Sequence, residues 1–402
     1  MSLTADKNPK IVVLTSIFPA VSETFVVDHI VGLERRGWSV TVVALDVGWD
    51  KASELAERLG LNFEVRQLPI STFSSRLGRI RFVFKQLWKS GGLRHFFSPW
   101  VRDLVLYSEE FEKVCCEVAP NLIHAHFGPN GIIASFVARA NHLPLLVNFH
   151  GYDVNVVPRN EGWGPYRRFL RGATAIVHSP FVHRILQNNL SMSCQLIPLG
   201  VDSTLFCSPN RKKGWNETIQ LLVVGRLVYL KGVHIAVEVL SLLQAYCPDF
   251  QWELSICGDG PEREAIFAKV TALGLINQVK FYGALEYEEV AMRMVDADIL
   301  LIPSIPDADG AQEAFSRVAI EGMASGLAVV AFNTGGLLET IGSGGKLVGC
   351  GNAKAMAEAV VEMVEMHMPS EWETVALEQA SHYSITSMWL KYDQLSRQML
   401  IS

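Results

Sequence analysis

KIVVLTS (10–16) and SVTVVAL (39–45) are continuous apolar runs rather than alternating ones. Between them a segment of helical period runs from Val26 to Arg36 and stops at Gly37. A strand buried on both faces reads as an unbroken apolar run, and a glycine just past a helical stretch ends it. Strand, helix and strand in this order predict a parallel pair with a crossover helix, the unit of a doubly wound sheet. Further strands are expected at NLIHAHF (121–127), PLLVNFH (144–150) and ATAIVHS (173–179), with helices between.

The rhythm then restarts. A polar stretch, SPNRKKGWNE (208–217), reads as a linker. Beyond it come a strand at IQLLVVGRL (219–227), a helix at HIAVEVLSLLQAY (234–246) and a strand with a Gly-rich turn at QWELSICGDGP (251–261). Strands follow at QVKFYGAL (278–285), ADILLIPS (297–304) and AVVAF (328–332). At 402 residues the chain exceeds one ordinary core. The expected class is α/β, with two Rossmann-like domains facing across a cleft. Their expected spans are 1–200 and 201–380, with a terminal helix in 381–402 crossing back to the first domain.

Composition narrows the function classes. Apolar residues make up 49% and charged ones 19%, which argues against long disorder. A net charge of -6 argues against a general nucleic-acid binder. Seven scattered cysteines without a CxxC pair suit reduced thiols in a cytoplasmic protein rather than a zinc site. The polar start MSLTADKNPK lacks the apolar core of a signal peptide. No apolar run reaches the roughly 18 residues needed to span a bilayer. The expectation is a cytoplasmic protein, at most lying on the inner face of the cytoplasmic membrane.

In doubly wound sheets, ligands bind at the C-terminal ends of strands. Four segments of the second half fall there. Gly225-Arg226-Leu227, with Lys231 five residues past the arginine, suits an anion such as a diphosphate, although a surface pair flanking a turn fits equally. Gly258, in Cys257-Gly258-Asp259-Gly260, permits close backbone approach to a ligand, or is a plain turn. Gly283 and Ala284 end a strand where the backbone could meet a nucleobase edge, or form a simple strand end. Ile302-Pro303-Ser304 closes a strand, and Glu313 follows in a loop before a helix expected from Ser316 to Met323. Loop amides at that helix start are a ready anion site. Glu321 lies two turns in and is costly to bury unless it accepts hydrogen bonds. The alternative makes Glu321 an exposed helix residue and Glu313 a partner of the helix dipole.

The run from Gly225 to Ile341 resembles retaining GT-B glycosyltransferases of the large group often called family 4. The resemblance rests on a Glu, seven residues, then a Glu (Glu313 and Glu321), followed by MASGLAVVAF and NTGGLLETI. In the first half, Ser22-Glu23-Thr24-Phe25, HAHFG (124–128), FHGYD (149–153), IPLGVD (197–202) and LF (205–206) also match. FHGYD in particular resembles enzymes of bacterial exopolysaccharide assembly. The resemblance implies a nucleoside-diphosphate sugar donor and a saccharide or lipid-linked acceptor. Glu313 would contact the donor sugar, Glu321 the ribose, Arg226 and Lys231 the diphosphate, and the amides of Ala314, Phe315 and Ser316 would cap the phosphates. His150 would reach the sugar at the reaction centre. Ser22, Glu23, Gly128 and Asp153 are the candidates for the acceptor side.

The resemblance further implies no bound metal and no cofactor beyond the donor, despite the Asp-Ala-Asp pairs at 296–298 and 307–309. The chain departs from the family pattern at Ala314, Gly322 and Ala328. Two other readings are kept: another GT-B enzyme acting on sugar nucleotides, and a silent sugar-nucleotide-binding partner of an assembly complex.

One stretch stands apart. Arg76 to Arg102 holds seven Lys or Arg and no acidic residue, with Phe82, Phe84, Trp88, Phe96, Phe97 and Trp100 interleaved. Such a pattern suits an anionic membrane surface. It equally suits a helical insertion packed on the first domain.

Overall fold

The computed structural model describes residues 8–20, 23–48, 63–72, 75–207, 217–366 and 369–401, with six further positions between them. Ser22 and most of the polar stretch 208–217 lie outside the described residues. The chain divides into two compact units, residues 1–197 with 388–402, and residues 198–387.

The first unit carries seven strands: β1 (Lys10–Phe18), β2 (Ser39–Val47), β3 (Glu64–Gln67), β4 (Leu122–His126), β5 (Leu145–Phe149), β6 (Thr174–Val177) and β7 (Ser193–Leu196). All pair parallel in the order β3-β2-β1-β4-β5-β6-β7. The second unit carries β8 (Thr218–Val224), β9 (Gln251–Cys257), β10 (Val279–Gly283), β11 (Ile299–Ile302), β12 (Ala328–Phe332) and β13 (Lys346–Val348). These too are parallel, in the order β10-β9-β8-β11-β12-β13. Both are doubly wound, Rossmann-like sheets. β4, β5, β6, β11 and β12 are buried along their whole length, the reason their sequences do not alternate.

Each sheet reverses its strand order once, between β1 and β4 and between β8 and β11. The crevice beyond the strand ends at such a reversal is where these sheets take ligands. β1, β4 and β5 therefore matter in the first unit, and β8 and β11 in the second.

The terminal helix Ile385–Met399 supplies the last part of the first unit. Trp389 Nε1 donates to Asp28 O at 2.7 Å, Trp38 Nε1 donates to Asp393 at 2.8 Å, and Arg397 donates to Arg36 O at 2.9 Å. The chain crosses from unit to unit at 197/198 and again at 387/388. Next to the two crossings, Val201 N donates to Tyr383 O at 2.8 Å, and Val201 forms a parallel bridge with Ser384.

The basic, aromatic stretch forms a helix over Arg76–Lys89, N-capped by Ser75, whose hydroxyl accepts from Gly78 N at 3.0 Å. Only Val83 and Leu87 of that helix are buried. Leu77, Ile80, Phe84 and Trp88 are exposed, and Phe97 beyond it is 85% exposed. Among the described residues, no helix is long and apolar enough to cross a membrane.

Candidate active site

In the second unit the β8–β11 reversal gathers most of the expected donor-site residues. After β8 the chain passes Gly225 and Arg226 into a short turn, Tyr229–Lys231. Gly232 follows in the left-handed region at φ 60°, and a Cβ there would lie 1.9 Å from Pro303 O at the end of β11. Only glycine permits that approach. It brings Lys231 beside the loop after β11. Lys231 Nζ donates to Glu313 Oε2 at 2.5 Å, and Ser304 Oγ donates to the same oxygen at 3.2 Å. Glu313 and Ser304 are buried and Lys231 is half-buried. The other Glu313 oxygen has no hydrogen-bond partner among the described residues. The Glu313 backbone is fixed as well, since its carbonyl accepts from Gly336 N at 2.7 Å in the NTGG loop.

Ser316 N-caps the helix Arg317–Ala324, its hydroxyl accepting from Ala319 N at 3.3 Å. Ala314 is buried and Phe315 half-buried in the turn leading into that helix. Glu321 is 4% exposed, which rules out the exposed-helix alternative. Arg317, one turn earlier, lies 3.3 Å from its carboxylate and offsets the burial of the charge. Gly322, where the family often has alanine, faces β11: a Cβ there would lie 2.4 Å from the Leu300 side chain.

The glycines at the other strand ends lie against neighbouring backbone. Gly225 N donates to Cys257 O at 2.9 Å, and Gly258 N donates to Gly283 O at 2.7 Å. A Cβ on Gly258, at φ 146°, would meet Gly225 O at 1.8 Å. These glycines let β8, β9 and β10 close on one another, so the close approach is backbone to backbone. Ala284 is exposed just past β10. Arg226 is exposed and has no hydrogen-bonded or ionic side-chain partner among the described residues. Three of the four Asp-Ala-Asp carboxylates have protein partners, and Asp309 is exposed. Asp298 accepts from Gln220 N at 2.8 Å, Asp296 pairs with Arg293 at 3.2 Å, and Asp307 accepts from Ala311 N at 2.8 Å.

In the first unit three motifs converge at the ends of β1, β4 and β5. Phe25, from the segment after β1, packs on the His150 ring at 4.4 Å between centroids, and Phe127 packs on the same ring at 4.5 Å. Glu23 precedes the helix Thr24–Arg35 and is half-buried. Phe127 is held at φ 71°, an uncommon conformation for a bulky residue and one found at functional sites. Asp153 and Gly128, expected on the acceptor side, are both buried. Asp153 is fully buried, and its two oxygens accept from Gly128 N at 2.9 Å and His150 N at 2.8 Å. It clamps the β4 and β5 ends together. Burial pushes its carboxyl up to about 6. Gly128 is itself buried, and a Cβ there would lie 2.6 Å from the Tyr166 ring.

Behind His150 lies a group of histidines that the motifs only partly announced. His29 Nδ1 lies 3.0 Å from His126 Nε2, and His126 Nδ1 lies 3.3 Å from His150 Nε2. His124 bonds Asn148 Oδ1 at 2.8 Å, and His178 bonds Ile197 O at 2.8 Å. Burial holds all five imidazoles below their ordinary value, to about 4 for His124 and His178. His29, His124 and His126 bring nitrogens within 4.8 Å of one another. The His29 and His126 nitrogens face each other at hydrogen-bond distance. His29 had a sequence signal: with Val26, Ile30 and Leu33 it occupies the buried face of its helix.

The sequence and the two doubly wound units are matched by known proteins. A model of Glycosyltransferase Family 4 matches residues 22–205, and one of Glycosyl transferases group 1 matches 209–375. A putative colanic acid biosynthesis glycosyltransferase, WcaL of Salmonella typhimurium, is 27% identical over 366 residues, covering 86% of this chain and 88% of that protein. The amylovoran biosynthesis glycosyltransferase AmsK of Erwinia amylovora is 24% identical over 382 residues, covering 88% and 90%. A glycosyltransferase structure from Rickettsia africae superposes with a TM-score of 0.74 at 17% identity, covering 98% and 99% of the two chains. Anabaena HepE, solved in complex with UDP-glucose, superposes at 0.72 and 19% identity, covering 97% and 99%. The fold and the sequence matches define a glycosyltransferase of GT-B architecture. The chain belongs to glycosyltransferase family 4, with the group 1 domain as its second half.

Proposed function

We propose that this protein transfers a sugar, with retention of anomeric configuration, from a nucleoside-diphosphate sugar to a saccharide or lipid-linked acceptor in bacterial polysaccharide assembly. One observation carries the donor site: the Glu313 carboxylate is pinned through one oxygen by Lys231 and Ser304, at the strand reversal, while its other oxygen has no protein partner among the described residues. A carboxylate held in this way is a rigid acceptor for sugar hydroxyls. Lys231 and the exposed Arg226 then stabilise charge that develops on the departing diphosphate, the main electrostatic task when the transition state is oxocarbenium-like. Amides at the start of the Ser316-capped helix add donors of the same sign. The polysaccharide assignment draws on the relatives named for colanic acid and amylovoran synthesis, and the donor class on HepE and its UDP-glucose.

The helix Arg76–Lys89 is proposed to rest on an anionic membrane surface. Its exposed Leu77, Ile80, Phe84 and Trp88, rimmed by Arg and Lys, favour that reading over packing against the first unit.

Calorimetry of the intact protein with UDP, GDP, ADP and UDP-glucose tests the donor site. One base is expected to bind, and Lys231→Met is expected to weaken it about ten- to hundredfold, the worth of a charge-assisted hydrogen bond. Anomeric analysis by NMR of sugar released from a turned-over donor tests retention. Absence of binding by every diphosphate overturns the donor reading, and an inverted product overturns retention.

A further inference from the structure

The five histidines of the first unit differ in what fixes them. Ile197 O can only accept, so His178 donates to it from Nδ1. Asn148 Nδ2 donates to Tyr392 OH at 2.6 Å, so Asn148 Oδ1 faces His124 and His124 donates from Nε2. The remaining nitrogens, His178 Nε2 and His124 Nδ1, are buried and have no partner among the described residues. With the Asn148 amide so oriented, the orphaned atom is in both rings a lone pair and not an N–H. That agrees with general experience, in which buried N–H groups left unbonded are the rarer kind.

His29, His126 and His150 form a line in which each neutral ring has one proton to give. Only two arrangements bond both gaps. In one, His150 donates to His126 and His126 to His29, which leaves an N–H at His29 Nε2. In the other, His29 donates to His126 and His126 to His150, which leaves a lone pair there. His29 Nε2 is buried and has no partner among the described residues. The first arrangement strands a donor, the second only an acceptor.

We infer that His126, oriented by His29, is a positioning residue that holds His150 in the Nδ1–H tautomer, so that His150 meets the reacting sugar as a hydrogen-bond donor and not as a base. This rests on the reading of His150 as the residue that touches the transferred sugar. Both ring nitrogens are then assigned. Nε2 is occupied by the His126 N–H, and Nδ1 carries the proton that bonds a sugar hydroxyl oxygen. A free imidazole favours the other tautomer, so the assignment depends on the line of histidines. The Asp153 bond to the His150 amide fixes the backbone but does not touch the ring.

Long-range proton–nitrogen correlation spectra of the intact, histidine-labelled protein at pH 7.5 test this without a ligand. His150, assigned by loss of its signals in His150→Asn, is expected as Nδ1–H, with His126 and His29 also Nδ1–H. His126→Phe is expected to shift His150 toward Nε2–H and to slow UDP-sugar turnover about tenfold, the worth of one hydrogen bond. His126→Asn keeps a side-chain N–H near the position of Nδ1 and is expected to restore both, which a merely space-filling role would not do. A wild-type His150 protonated on Nε2 overturns the inference even if no variant folds. A correct tautomer with unchanged turnover in His150→Phe removes His150 from the reacting sugar; the relay then stands and its catalytic consequence falls.

Discussion

Replacing His178 by asparagine should flatten the acid response of the protein. His178 is buried, and burial holds it at about 4, against an ordinary value of 6.5. The unfolded chain therefore takes up a proton that the folded one refuses. The contribution of this group is fully present above pH 6.5 and is lost as pH falls towards 4. Evaluated for these two values, wild type loses about 2 kcal/mol through His178 alone between pH 7.5 and 5.0. The asparagine of the variant does not titrate, and its amide can still donate to Ile197 O. His29, His124, His126 and His150 act in the same direction. Asp153 acts in the opposite one, because its carboxyl is raised to about 6 and contributes most at low pH, losing that contribution as pH rises through 6. Five imidazoles against one carboxyl make the net effect a steep fall in stability below pH 6.5. Urea unfolding followed by tryptophan fluorescence at pH 7.5 and 5.0 measures it, with the difference between wild type and His178→Asn cancelling the rest of the chain. Parallel profiles for the two proteins would refute the reasoning.

Gly322→Ala should destabilise by about 1–3 kcal/mol through the clash with Leu300, seen as a lower denaturation midpoint at unchanged m. Tyr392→Phe removes the hydroxyl that accepts from Asn148 and should lower stability by about 1 kcal/mol in the same assay. The double substitution Phe84→Ser with Trp88→Ser should abolish co-sedimentation with vesicles containing anionic lipid while leaving thermal stability near wild type, since both side chains are exposed. Retained vesicle binding would place the membrane contact elsewhere.

The strands that could be read from sequence are those buried on both faces, because an unbroken apolar run is the signal of double burial. β12 was delimited as AVVAF (328–332), the span it occupies in the fold. β3, β7 and β13 were missed, and all three are sheet edges: EVRQ, SCQL and KLV are short, polar in part and never fully buried. In the second unit, spacing put Glu313 and Lys231 at the right strand ends, but their pairing depends on Gly232 meeting Pro303, a contact between segments some seventy residues apart. Gly258 and Asp153 carried motif signals whose reading changed once their neighbours were known. A ligand-facing glycine and one that admits another strand look alike in sequence, and a carboxylate shows no sign there of which amides will claim it. The histidine line was the least legible. His124 and His126 alternate along one strand and His150 ends another, but His29 comes from a helix nearly a hundred residues earlier and joins them only through the fold.

The last residues of the chain belong to the unit that is made first. Tyr392 reaches Asn148, the partner of His124, and Trp389 fills the space above Gly32. During synthesis the first unit must therefore wait, with this part of its interior uncovered, until the second has been translated. A stop codon placed before Met388 would spare every residue of the second unit and damage the first, at its histidines.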